Sequence, residues 1–391
     1  MSVSTSTESG NLLLRNADVY APERMGRLDI LVLAGRVVSM GQGIAVSGIP
    51  DLVELDASGL PVTPGLVDSL THITGGGGEG GYSTRMPFMP AEDAWTSGVT
   101  TVTGALGTDA IHRTHADMLG HARYLQSQGV SAYIYSGSYH LPIKTLTGSV
   151  QTDIAYIPDV IGVGELAIAD HRGSHPSVEE LARLAAEVRV GAMLSGKKGV
   201  LSIHVGDHDS GLRTLHEAAE RYPVKLSHFY PTHINRHEAL LKQGFVFAKG
   251  GGMIDFTASN NESLLADGDI DSPDAVARAL AAGVSISQLT ISSDAYASLP
   301  EFDAQGRFVR VDMGRLDSMA DAIRRGCSDV GLNFSSMLQT ATLNPANALG
   351  LWHKGRLKSG VDADLLLWSK DHQVLGTITR GVVRRWPTEV V

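Results

Sequence analysis

Three patterns predict an α/β chain, a (β/α)8 TIM-like barrel with a small β-sandwich-like domain formed by both chain ends. Short apolar strands alternate with amphipathic helices over roughly 270 central residues, the signature of repeated βα units. Both flanks read as β structure with no helical period. Histidine, aspartate and glutamate recur where predicted strands end, the rim on which such barrels carry their chemistry.

The first ten residues, "MSVSTSTESG", are polar without an apolar stretch, and read as a disordered tail. Residues 11–66 follow with "NLLLRNADVY", "DILVLAGRVVSMG" and "LVELDASGLPVTPG", including a hairpin around Ala34 and Gly35. From residue 67 the pattern changes. "GVTTVTG" (98–104), "SAYIYSG" (131–137), "KGVLSIHVGD" (198–207), "VKLSHF" (224–229), "FVFAKGG" (245–251) and "QLTISSD" (288–294) read as buried parallel strands. Two helices between them have legible ends: Ser177 and Glu180 form a capping box, and "SPDAVARALAAG" has Ser272 as N-cap, Pro273 at N1 and Gly283 as the stop. From residue 350 the chain returns to β character. The expected division is a small β domain from 11–66 and 350–391, with a catalytic barrel over 67–349 inserted between its halves.

Composition narrows the class. The net charge of -10 disfavours nucleic acid and anionic membrane as partners. No uninterrupted apolar run reaches about 18 residues, which speaks against a membrane span. The lone Cys327 excludes an internal disulfide framework and fits the cytoplasm. "GGGGEGG" lacks the Lys-Ser/Thr of a phosphate-binding loop, there is no G-x-S-x-G elbow, and Cys327 sits in a helix-end context as a bystander.

His72, Glu165, His204, His233 and Asp294 lie in order at or near five strand ends. Singly, each has an ordinary structural reading; together they form the kind of oxygen and nitrogen set that a divalent metal takes. The pieces "PGLVD", "GGGGE" (75–79), "GTD" (107–109), "SYH" (138–140), "DHR" (170–172), "IHVGD" (203–207), "PTHINR" (231–236), "SSD" (292–294), "NPA" (344–346) and "SGVDADL" (359–365) carry a resemblance. Over residues 11–385 the chain is similar to the isoaspartyl (β-aspartyl) dipeptidase family of the amidohydrolase superfamily.

That resemblance implies a homo-oligomer and a small-molecule, dipeptide-like substrate. It also implies a dinuclear zinc site made by an HxH pair, a carboxylated lysine, two later histidines and an aspartate. By position the pair falls on Leu70 and His72, the lysine on Glu165, the histidines on His204 and His233, and the aspartate on Asp294. Leu70 cannot bind a metal. Glu165 keeps a carboxylate on a stem three atoms shorter than a lysine carbamate, about 3–4 Å of lost reach. The resemblance further places a substrate ammonium on Glu79, carboxylate on Arg172 and Arg236, and carbonyl polarisation on Tyr139, with Thr108 and Ser298 also matching.

The leading reading is a metal-dependent amidohydrolase acting on a β-aspartyl-dipeptide-like or other carboxylate-bearing amino-acid amide. Its remodelled site would hold one zinc per chain on His204, His233 and Glu165, with none or two as alternatives, and Asp294 would carry the proton. Two rivals remain: a weak or inactive amino-acid-binding homologue, and a metal-free acid–base enzyme using Glu165, Asp294 and Tyr139. His140, His171, His175 and His208 are candidates to replace the missing ligand.

Overall fold

The computed structural model describes residues 10–303, 305 and 307–387. The tail expected over 1–10 lies outside the described residues except for Gly10. Five strands open the chain: β1 (Leu12–Tyr20), β2 (Arg24–Leu33), β3 (Arg36–Gly41), β4 (Val53–Asp56) and β5 (Pro61–Pro64). Eight buried strands follow: β6 (Leu66–Thr71), β7 (Val99–Gly104), β8 (Ser131–Ser136), β9 (Val160–Ile168), β10 (Val200–Val205), β11 (Phe229–Thr232), β12 (Ile254–Thr257) and β13 (Leu289–Ser292). An antiparallel pair, β14 (Ser298–Phe302) and β15 (Phe308–Met313), leaves the end of β13. The chain closes with β16 (Leu365–Trp368), β17 (Val374–Thr379) and β18 (Val382–Arg385).

The two β flanks meet in one sheet, ordered β18-β17-β16-β5-β1-β2-β3 with β4 on β1. Its core gathers Leu12, Leu14, Ile30, Val62, Leu365 and Leu367, so apolar side chains from both chain ends leave water together. Trp368 Nε1 donates to Thr63 Oγ1 at 2.8 Å and fastens the seam between β16 and β5. The hairpin at Ala34 and Gly35 takes positive φ at both residues, 47° and 76°, as a tight type I′ turn requires.

The eight central strands make the TIM-like barrel. Strands β6 to β11 form one parallel sheet, and β12–β13 a parallel pair that closes it. Ile234 N donates to Asp255 O on one side, while Asp294 N donates to Leu70 O and His72 N to Ala295 O on the other. Two buried carboxylates latch these seams. Asp255 accepts from Thr232, Thr290 and Ser292 at 2.8, 2.6 and 2.5 Å; Asp68 accepts from Thr71 at 2.8 Å and from both the amide and the hydroxyl of Ser293. Burial pushes both carboxyls up to about 6 in spite of these donors.

Three local expectations change. "FVFAKGG" is not a strand: it ends the helix Glu238–Lys249, whose buried residues Leu240, Leu241, Gly244, Phe247 and Ala248 recur at helical spacing. A four-residue apolar run, "FVFA", fits either period, and the strand comes later as "IDFT". "VKLSHF" gives way to a 3-10 turn, Leu226–His228, with β11 starting at Phe229. The helix Ser272–Ala281 begins one residue earlier than expected, with Asp271 in the N-cap position; Gly283 does stop it, at φ 79°. The Ser177–Glu180 capping box is formed. Among the described residues, no helix is long and apolar enough to cross a membrane.

Candidate metal centre and substrate pocket

The barrel delivers the five strand-end residues to one buried spot. Glu165, in β9, is 1% exposed and stands at its centre. Its Oε2 lies 3.2 Å from His204 Nδ1 and 3.6 Å from His233 Nε2, and its Oε1 3.6 Å from His72 Nε2. Burial alone would raise this carboxyl, but the surrounding imidazoles, the charged His72 among them, bring it well below its usual range. His72 follows β6; its Nδ1–H donates to Ala105 O at 3.1 Å and its Nε2 lies 3.1 Å from Asp294 Oδ1. Burial opposes its charge, yet Asp294 and Glu165 raise it to about 9, so at neutral pH His72 is an imidazolium clamping both acids.

His233 and Asp294 sit just past β11 and β13 with φ of 63° and 51°. Non-glycine residues rarely adopt this region, and such positions concentrate at functional sites. Burial and the neighbouring His204 lower His233 to about 4, so it is neutral. In the tautomer whose Nδ1–H donates to Thr257 Oγ1, at 2.6 Å, its Nε2 lone pair faces Glu165.

Among the described residues, Glu165, His204 and His233 are the one group of three donor side chains whose ligand atoms lie within 4.8 Å of one another. The set fits a divalent ion: two imidazole nitrogens and an anionic oxygen converge in a buried space, and the outer nitrogens are occupied elsewhere. His140, His171, His175 and His208 do not join it. Leu70 is 1% exposed and belongs to the apolar cluster of Val67, Ala105, Tyr135 and Tyr230. It fills the barrel beneath the site. Leu70→Ala should therefore cost about 2–5 kcal/mol of stability in denaturant unfolding and leave metal content unchanged.

The substrate-side residues converge next to this centre. Glu79 Oε1 accepts from Thr108 Oγ1 at 2.9 Å, its Oε2 accepts from Ser298 Oγ at 2.5 Å, and Arg172 Nη1 stands 3.5 Å away. The glycine at 77 has φ 98°, and a Cβ there would meet Thr84 O at 2.5 Å, so the loop carrying Glu79 needs glycine to pass this point. Arg172 lies over the Tyr139 ring at 5.4 Å, and Tyr139 OH is 2.8 Å from His204 Nδ1. Burial and the nearby Glu165 raise the Tyr139 phenol well above its usual range, so it keeps its proton. A cavity of about 410 Å³ is lined by His233, Asp294, Arg236, Arg172 and Ser298. Cys327 lies in the helix Ser318–Ser328, where burial pushes its thiol up to about 11.

Two neighbours had drawn no role from the sequence. Thr257 orients His233, and Asp170 accepts from His204 Nε2–H at 3.0 Å and from Arg172 Nη2–H at 2.7 Å. The signals for Asp170 are its place in "DHR" and its position two residues before Arg172, the spacing of a side chain that caps its own turn.

A buried barrel rim with this donor set defines a class. The amidohydrolase family model matches residues 62–384, and the chain belongs to that family, as a hydrolase of C–N bonds. It is similar over nearly its whole length to the beta-aspartyl dipeptidase of Fervidobacterium islandicum AW-1. The structure of that enzyme with a beta-Asp-Leu dipeptide has 39% identity and a TM-score of 0.91, covering 97% of each chain. Another of its structures gives 37% and 0.87, covering 97% of this chain and 98% of that one. Matches to curated relatives are short: a dihydroorotase of Citrifermentans bemidjiense is 42% identical over 66 residues, 16% of this chain and 15% of that protein.

Proposed function

We propose that the chain is a metal-dependent dipeptidase that hydrolyses β-aspartyl dipeptides or closely similar carboxylate-bearing amino-acid amides. The observation that carries this is the convergence of Glu165, His204 and His233 beside an intact Glu79–Arg172–Arg236–Tyr139 set. The 39% identity to an enzyme solved with beta-Asp-Leu supports the substrate class. Glu165, His204 and His233 would hold one zinc, which when bound supplies Lewis-acid polarisation to the scissile carbonyl and the attacking water.

The chain's own residues divide the remaining work. Glu79 takes the substrate ammonium, and Arg172 and Arg236 take carboxylate by charge-assisted bonds. Tyr139, protonated, donates to the carbonyl oxygen as negative charge grows there. Asp294 accepts a proton from the water that attacks the carbonyl carbon, and returns it to the amine nitrogen as the C–N bond breaks. His72, bonded to Ala105, holds the Asp294 carboxylate in place. Arg236→Ala should weaken substrate binding by about 2 kcal/mol or more, read as a raised KM.

The enzyme would work as a homo-oligomer in the cytoplasm. The exposed Tyr156, Met193 and Leu194, on packed helices Val150–Tyr156 and Val178–Leu194, offer an apolar surface for self-association. The deciding experiment is elemental analysis of protein purified without chelator, paired with a dipeptide panel. About one zinc per chain with hydrolysis of β-Asp-Leu is expected. Turnover without metal would favour acid–base catalysis by Glu165, Asp294 and Tyr139, and neither metal nor turnover would leave a binding homologue.

A further inference from the structure

Asp170 is 4% exposed, two residues past the end of β9, and its carboxylate is shared by two groups with different tasks. Oδ2 accepts from His204 Nε2–H at 3.0 Å and from Arg172 Nη2–H at 2.7 Å. Oδ1 accepts from Arg172 Nε–H at 3.0 Å and from the Arg172 amide at 2.8 Å. One oxygen thus touches both a histidine of the candidate metal centre and an arginine of the substrate pocket. Arg172 extends the chain of contacts to Glu79 at 3.5 Å.

The other two histidines at the centre lean on neutral partners, the Ala105 carbonyl and the Thr257 hydroxyl. His204 alone among the three has a carboxylate on its outer nitrogen. A carboxylate there fixes the Nε2–H tautomer and leaves Nδ1 as a lone-pair donor facing Glu165. The same carboxylate holds the planar guanidinium of Arg172 by two bonds, which sets the direction of its remaining N–H groups.

We infer that Asp170 is a positioning residue that couples metal binding to substrate recognition. It does so by fixing the tautomer of His204 and the plane of Arg172 with one carboxylate. This rests on the reading of Glu165, His204 and His233 as the zinc holders. In Asp170→Asn, one neutral amide oxygen replaces a carboxylate that serves four N–H groups: whichever way the amide turns, Arg172 meets an N–H, and His204 meets either an N–H or a weaker neutral acceptor. Two separable quantities should move together.

The test uses the full-length protein, zinc alone in competition with a chelator, and β-Asp-Leu kinetics. Asp170→Asn should raise the zinc Kd by about 10- to 100-fold, the scale for losing such an outer partner. Its KM, measured at saturating zinc, should rise by about tenfold as the Arg172 plane is released. Arg172→Met should raise KM and leave the zinc Kd within about twofold, since its Nη2 only grazes His204 Nε2 at 3.5 Å while the 3.0 Å bond from that nitrogen to Asp170 stays in place. A role confined to folding would lower the unfolding temperature of Asp170→Asn and leave both constants alone, which would overturn the coupling. Should Asp170→Asn not fold, long-range 1H–15N spectra of the zinc-loaded wild type decide. The signal lost in His204→Gln is expected to be an Nε2–H tautomer, and an Nδ1–H tautomer overturns the inference. Wild-type protein that takes up no zinc would instead overturn the metal reading itself, before any variant is compared.

Discussion

Replacing Glu165 by glutamine is expected to reduce zinc content well below one per chain and to lower kcat/KM by about a thousandfold. The substitution is close to isosteric, so it tests charge and not shape. Glu165 is the only anion among the three converging donors, and its two oxygens face three imidazoles. A neutral amide would offer one weak carbonyl oxygen to the ion and an N–H group to a nitrogen that needs its lone pair free. It would also leave the buried His72 cation with Asp294 as its remaining acid. The measurement is metal content by elemental analysis beside steady-state kinetics. Retention of full zinc and full activity would remove Glu165 from the centre.

Asp294→Asn is the complementary case. Here zinc content should stay near that of the wild type while kcat falls by about 10²–10⁴-fold, the usual range for removing a proton-transferring group. Asp294 lies on the cavity wall with His233 and Arg236, and its φ of 51° aims it from the end of β13. Asparagine tolerates that backbone region, so the fold is expected to persist. Because Asp294 also pairs with His72, the variant will release part of the clamp on that ring. A loss of zinc as large as the loss of kcat would mean that Asp294 serves the ion and not the proton.

The barrel was legible because its strands are continuous apolar or β-branched runs cut by glycine, and because chemistry-bearing residues stand where those runs stop. The pairing of Leu70 and Glu165 as joint departures was visible too, because the resemblance places a histidine and a carboxylated lysine at those two positions. What sequence could not resolve was geometry that depends on distant neighbours. "FVFAKGG" reads as a strand until Leu240 and Leu241, a turn and a half upstream, are seen to share its buried face. Asp170 reads as one letter of a short motif, because its partner His204 comes from the next strand of the barrel. Glu79 meets Thr108 from one loop and Ser298, 219 residues later, from the start of β14; a linear pattern could suggest each but not their contact.

The sheet built from both chain ends has a consequence for biosynthesis. Strand β5 is bridged to β16 by a side-chain bond between residues 305 positions apart, so half of that sheet must wait for the other. During synthesis the first five strands emerge with apolar faces that find their partners only after the whole barrel has been made. Contacts this far apart in sequence also close slowly, because the loop entropy is lost before the pairing is gained. The opening strands are therefore the segment on which a nascent-chain chaperone, or a neighbouring copy, would first find unsatisfied edge and apolar surface.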